Sequence, residues 1–271
     1  MAWAVTQLRR VGFHLLAISA VFIFVAPLAW VLITSLRPVG PPPQALTWPA
    51  EQIAWQNYVA IFELIPLARY LLNSLIIVGV AVPLTLTIAS LAGFAMSQLP
   101  ARTRYLLLAI AVVLRMIPIS ALWLPRFLLF VQLQLIDTYW ALIAPVWMGS
   151  SPFFILIFYW GFRRMPQAWI ESARLDGLGP LGIWWRIALP NAWPALIAVG
   201  VLTFAQYWGD FMSPLIYLKS EQRYTMAVGV RTLQQLDLNN WPLMMAGTVV
   251  MILPIVVLFI LVQRAFWIVK T

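Results

Sequence analysis

From Tyr70 to Ala101 the chain passes no charged side chain, and the same holds for Val11–Leu36, Thr138–Phe162, Ile187–Gly209 and Leu238–Gln263. About 20 apolar residues carry a helix across a bilayer's hydrocarbon core, so each of these runs is long enough to span. Tyr105–Pro125 makes a sixth with one interruption, Arg115, whereas the apolar stretch between Arg126 and Asp137 is too short. With 63% hydrophobic and only 9% charged residues, most of this surface has lipid as its solvent. The expected fold class is therefore an all-α polytopic membrane protein with six transmembrane helices. The absence of cysteine excludes disulfides, thiolate metal sites and cysteine nucleophiles.

The net charge of +9 is spread between apolar runs rather than gathered into a nucleic-acid-binding patch. It reads as a set of topological markers facing anionic lipid. With the N-terminus inside, the inner connections hold Arg9, Arg10, Arg102, Arg104, Arg163, Arg164, Arg174, Arg186, Arg264 and Lys270. The outer connections hold Arg37, Arg69, Arg126, Lys219, Arg223 and Arg231. The excess predicts cytoplasmic termini. The first run is too long for a signal-peptide core, so it is expected to be retained as a span. Pro38–Pro49 reads as an external linker leading to an amphipathic stretch around Trp55–Leu64. Prolines inside the runs (Pro27, Pro83, Pro118, Pro145, Pro152, Pro254) predict kinks. Most of the fifteen tryptophans suit interfacial anchoring better than a ligand cage.

Residues 171–190 interrupt this apolar pattern with charge and glycine. Helix composition from Met165 to Leu175 ends at Gly177, which accepts a left-handed cap without steric cost. Gly179-Pro180 restarts the chain. A second helix carrying Trp184, Trp185 and Ile187 runs to Leu189, and Pro190 marks the return to the membrane. Two readings follow from the residues alone. The unit either inserts bulky apolar side chains into a groove on a partner or lies along lipid headgroups.

Glu171, Ala173, Asp176, Gly177, Trp184, Ile187, Leu189 and Pro190 fall in the register of the EAA motif, and the segment resembles the coupling loop of ABC-importer permeases. Ser172 and Leu178 replace alanines of that motif, and Trp184 stands where phenylalanine is usual. The resemblance extends over nearly the whole chain. Asn57-Tyr58, Asn73-Ser74, Met116-Ile117-Pro118, Asp137-Thr138-Tyr139-Trp140 and the block at 203–218 match the carbohydrate-importer branch. Trp208-Gly209-Asp210-Phe211 departs from the commoner Trp-Asn-Asp-Phe, and the end at Val269-Lys270-Thr271 lacks a glycine-rich tail.

This resemblance implies the type I importer permease fold in a multi-pass protein of a bacterial or archaeal plasma membrane. The implied segments are an N-terminal tail, first helix and linker (1–68), a permease core (69–264) with its coupling loop (163–190), and a tail (265–271). The implied partners are a second, different permease, an ABC ATPase dimer and an extracytoplasmic solute-binding protein. ATP and magnesium would reside on the ATPase.

A P-loop needs Gly-Lys, and the two lysines follow Leu218 and Val269. No catalytic constellation is visible, and His14 lacks the companions a metal site needs. The chain is thus expected to be no enzyme and to bind no cofactor itself. Polar groups within apolar runs face a cavity or a neighbouring helix. On that ground Asn73, Ser74, Arg115, Ser150, Ser151, Tyr159, Gln206, Tyr207, Trp208 and Asp210 are candidates. Gln206, Tyr207, Trp208 and Asp210 suit a sugar pathway, in which aromatic faces lie beside hydrogen-bonding groups. Interhelical pairing, with Arg115 neutralising Asp210, explains them equally well. An ion-gradient-driven transporter is the rival class, supported only by Asp210. Within importers, glycerol phosphates and polyols stand beside sugars as substrates.

Overall fold

The computed structural model describes residues 2–43, 45, 47–49, 52–147, 151–237 and 239–268. Among them every regular element is helical. Ser150 and the tail residues 269–271, singled out in the sequence, lie outside this set.

Helix α1 (Ala2–Ser35) is followed by the proline-rich linker and α2 (Gln56–Leu64), then by α3 (Leu67–Gln98) and α4 (Ala101–Met116). A 3-10 turn at Ile119–Leu122 opens α5 (Trp123–Gln132), and the chain bends by 87° between α4 and this arm. Next come α6 (Trp140–Ile143), a 3-10 turn at Ala144–Val146 and α7 (Pro152–Arg163). Helices α8 (Gln167–Leu175) and α9 (Pro180–Ile183), a π-helical turn at Trp184–Ala188 and α10 (Leu189–Asn191) form an elbow. The elbow turns by 83° into α11 (Trp193–Trp208). Helices α12 (Met212–Tyr217), α13 (Met226–Leu236) and α14 (Trp241–Ile268) complete the chain.

Gly12–Ser35, Leu67–Gln98 and Trp241–Arg264 are each long and apolar enough to cross a membrane, and counting each bent pair as one span gives five. The remaining expected run, Thr138–Phe162, is not one helix. Pro145 and Pro152 lack an amide proton, so each is placed in the first turn of a short helix. The apolar α7 that follows has only 12 residues. The break between α4 and α5 falls at Ile117-Pro118, where Ile117 is extended as a residue before proline prefers. Helices α1, α3 and α14 instead run on through Pro27, Pro83 and Pro254.

The chain forms two compact units. Met1–Leu67 with Gly229–Leu253 is the first. Within it, the buried Asn57 side chain donates to the carbonyls of Ser35 (2.9 Å) and Arg37 (2.8 Å), satisfying orphan acceptors at the end of α1. The hydroxyls of Tyr58 and Ser35 lie 2.6 Å apart. The apolar side chains of α1 are largely exposed, as expected of a helix surrounded by hydrocarbon or by another subunit's helices.

Ala68–Val228 with Pro254–Thr271 is the second unit. One of its cores is built on Phe94 of α3, Phe154, Phe158 and Phe162 of α7, and Val199 of α11, and it continues into the elbow through Ile170, Ala173, Ile183, Trp184 and Ala188. A second core joins Ile77, Phe130, Leu142, Ile143 and Tyr217.

Candidate functional site: the polar elbow and the 219–226 clamp

The elbow's geometry begins at the end of α8. Leu178 N–H donates to the Ala173 carbonyl (2.9 Å) and Gly177 N–H to that of Arg174 (3.1 Å). Together these bonds close a Schellman cap. Gly177 takes φ +82°, a left-handed conformation that a side chain with a β-carbon disfavours. Leu178 and Ala173 both pack on the core beneath, supplying the apolar contact that accompanies this cap.

Two faces result. Ala173, Ile183, Trp184 and Ala188 are buried, and Ile187 and Leu189 pack on them half-buried. Glu171, Asp176 and Pro190 are exposed. Among apolar side chains Leu175 (89% exposed), Leu181 (69%) and Trp185 (62%) stand outward, whereas Trp184, with 8% exposure, is turned in. The sequence had presented Trp184 as a projecting knob; its inward position follows from helical spacing, since Trp184 shares a side with Ala188. Its indole N–H finds no acceptor among the described residues. Arg174 reaches the Gln98 side-chain oxygen at 3.4 Å, and no ion pair joins it to Glu171 among the described residues.

The residues expected along a solute pathway are engaged to different degrees. Asn73 is buried on α3 and its amide donates to the carbonyls of Gln222 and Tyr224, both at 2.9 Å. Neighbouring Ser74 accepts the Met226 amide at 2.9 Å. Trp208, only 1% exposed, stacks on Phe204 with ring centroids 5.5 Å apart. Tyr207 packs half-buried on the core around Tyr217. Asp210 accepts the Ser213 amide at 3.1 Å and so opens α12; no ion pair links it to Arg115 among the described residues. Ser151 precedes α7, and Gln206 alone of the 206–208 group is exposed. Tyr159 is buried, its ring edge-on to Trp160.

Asp137, which the sequence marked only through family resemblance, holds a denser network. It sits between α5 and α6 at φ +61°. Its carboxylate accepts the amides of Lys219 (3.0 Å) and Ser220 (2.9 Å), the Ser220 hydroxyl, and the Arg223 guanidinium (2.7 Å). Partial burial disfavours the charged carboxylate, but the Ser220 and Lys219 donors and the Arg223 charge outweigh it and hold the pKa at about 2, against an ordinary 3.8. From the other side Tyr70 donates to Glu221 at 3.0 Å. The segment 219–226 is thus clamped by Asp137 on one flank and by Tyr70, Asn73 and Ser74 on the other. No spacing rule pairs residues this far apart in the chain. The signal available was chemical: four small polar groups flanking apolar runs, each needing a partner.

Long apolar helices, shorter ones joined at proline-bearing bends, and a charged, glycine-capped elbow seated on a packed core fit a membrane transport permease. The chain belongs to the family of binding-protein-dependent transport system inner membrane components, which matches residues 85–266. It is a permease subunit of an ABC importer. It is 32% identical to the arabinooligosaccharide transport system permease AraQ of Halalkalibacterium halodurans, over 98% of this chain and 93% of that one. It is 27% identical to the sulfoquinovosyl glycerol transport system permease SmoH of Agrobacterium fabrum, over 95% and 92%. The fold superposes on a chain of a bacterial ABC transporter that imports the acidic polysaccharide alginate. That match has a TM-score of 0.76 at 20% identity, covering 96% of this chain and 97% of the other.

Proposed function

We propose that this chain forms half of the pathway for an oligosaccharide or glycoside, pairing with a second, different permease and with two ATPase subunits that carry the ATP and magnesium. A solute-binding protein delivers the substrate from outside. Relatives of known cargo support the substrate class: arabinooligosaccharides for AraQ, sulfoquinovosyl glycerol for SmoH, and melibiose, raffinose and stachyose for the import permease MelC of Bacillus subtilis. The solved alginate importer also occurs in complex with a substrate-bound periplasmic protein.

The observation that carries the mechanism is the elbow's two-faced construction. Leu175, Leu181 and Trp185 face outward with Glu171 and Asp176 beside them, while the opposite face is continuous with the core of α3, α7 and α11. A partner gripping the outer face would move those helices as a packed body. In this reading the elbow and both termini face the cytoplasm, as the basic residues in the connections favour. The broken segment from α6 to α7 makes the sixth crossing together with its flanking turns. Co-purification with neighbouring subunits, then a screen for sugars that raise ATP turnover through the binding protein, tests the assignment. Turnover that no glycoside stimulates would redirect it to another solute class.

A further inference from the structure

On the side of the elbow away from Gly177, the end of α7, the start of α8 and the start of α11 enclose a concavity of about 630 Å³. Its floor is made of small residues. Gly161 packs so closely on α11 that a β-carbon there would lie 3.3 Å from that of Ala195, and Ala198 continues the same surface. Trp160 and Trp169 form its walls, and both remain about half exposed. Arg164 and Asn191 are the polar side chains at its edge. One N–H of the Asn191 amide is engaged with the Ile187 carbonyl at 2.7 Å, and the Arg164 guanidinium is the one charged group of the lining. That group is exposed, has no acceptor among the described residues, and no carboxylate lines the concavity.

We infer that this groove binds an anionic phospholipid, with its phosphate on Arg164 and an acyl chain along the alanine floor between the two indoles. Three features favour that occupant. The walls and floor are largely apolar, a surface that an acyl chain covers at lower cost than water does. Tryptophan pairs belong at the headgroup level, and basic pockets between membrane helices hold acidic headgroups. A sugar would require a ring of hydrogen-bonding groups, and beside Arg164 the lining offers only the Asn191 amide and two indole N–H groups. The bound lipid would touch both arms of the elbow, at Met165 and Trp169 on the way in and at Asn191 and Ala195 on the way out. It would therefore stiffen the joint through which the two arms move. The proposed orientation enters only in deciding which leaflet supplies the lipid.

The test is native mass spectrometry of the delipidated full-length chain titrated with dioleoyl phosphatidylglycerol or dioleoyl phosphatidylcholine. Because it reads neither transport nor ATP turnover, its failure is separable from failure of the proposed function. Wild type should retain phosphatidylglycerol roughly fivefold more tightly, because the choline of phosphatidylcholine already neutralises its phosphate and leaves no net charge for Arg164 to attract. Arg164→Gln, an exposed position that leaves the fold intact, should bring the two lipids level, and Ala198→Phe should weaken both by filling the floor. Equal retention by wild type, or a preference unchanged in Arg164→Gln, overturns the proposal. It is also overturned if the preference disappears once the partner permease is assembled, since the groove would then be the seat of a protein helix.

Discussion

Gly93 of α3 and Phe158 of α7 lie in such close apposition that a β-carbon on Gly93 would fall 2.8 Å from that of Phe158 and 2.9 Å from the Tyr159 amide nitrogen. The opposing atoms are largely backbone, which has no alternative rotamer. This closeness lets Phe94, Phe158 and Phe162 knit the core that supports the elbow, with Phe94 and Phe162 meeting edge-on at 5.6 Å. Gly93→Ala should lower stability by about 1–3 kcal/mol through overpacking. A lower melting temperature of the detergent-solubilised protein is the measurement, and an unchanged one would contradict the contact.

At the elbow, the left-handed backbone of Gly177 rather than space decides which side chains are tolerated, since nothing lies within 4 Å of a β-carbon there. Gly177→Asn should retain most transport because asparagine visits this conformation, whereas Gly177→Val should lose about 1–2 kcal/mol of cap stability and abolish uptake. Asp176→Lys, exposed and away from the core, should leave the fold intact yet uncouple ATP hydrolysis from transport. Uptake in reconstituted vesicles beside an insertion assay separates the two effects.

Asn73→Leu should free the 219–226 segment. The substitution leaves the carbonyls of Gln222 and Tyr224 without their donor, at about 1–3 kcal/mol for each group left buried and unpaired. Faster hydrogen exchange in this segment, at the Met226 amide above all, is the expected readout.

Asp137 makes the other flank sensitive to acid. Its folded pKa of about 2 lies below the ordinary 3.8, so the native state binds the proton less readily than the unfolded chain. The stability it contributes is present above pH 3.8 and is lost as pH falls towards 2. Amides of Lys219 and Ser220 should lose protection across that window. Asp137→Asn should be weakly held at neutral pH and indifferent to the titration.

Trp208→Ala is expected to cost about 3–5 kcal/mol, the penalty for deleting a buried indole. Reduced uptake in that variant would accompany reduced amounts of folded protein. Gln206→Ala, at an exposed position, is the sharper test of a solute path along α11. A changed KM with normal expression would place Gln206 in it.

The long runs were legible because hydrocarbon demands them: α1, α3 and α14 correspond to three of the six predicted crossings. The elbow was legible too, since a Gly177 cap and a Pro180 restart obey local rules. What local rules miss is angle. Pro118 and Pro194 stand at bends of 87° and 83°, while Pro27, Pro83 and Pro254 leave their helices continuous, and the difference is made by neighbours rather than by the proline. The partners of Trp208 and Asp210 were hidden for a related reason. Next to a tyrosine and a glutamine in sequence they suggest a sugar platform, and only the fold shows that Trp208 is buried against Phe204 and that Asp210 holds the Ser213 amide. Asn57 and Asn73 were visible as family features without a reason. Each satisfies a pair of main-chain carbonyls distant in sequence.

One unbroken rod has a different job at each end. Near its start α3 holds the 219–226 segment through Tyr70, Asn73 and Ser74, and twenty-odd residues later Phe94 enters the core under the elbow. At 1.5 Å per residue the two stations are roughly 30 Å apart. One continuous helix therefore ties the two stations together through its main chain, with Pro83 between them as the place where it can flex.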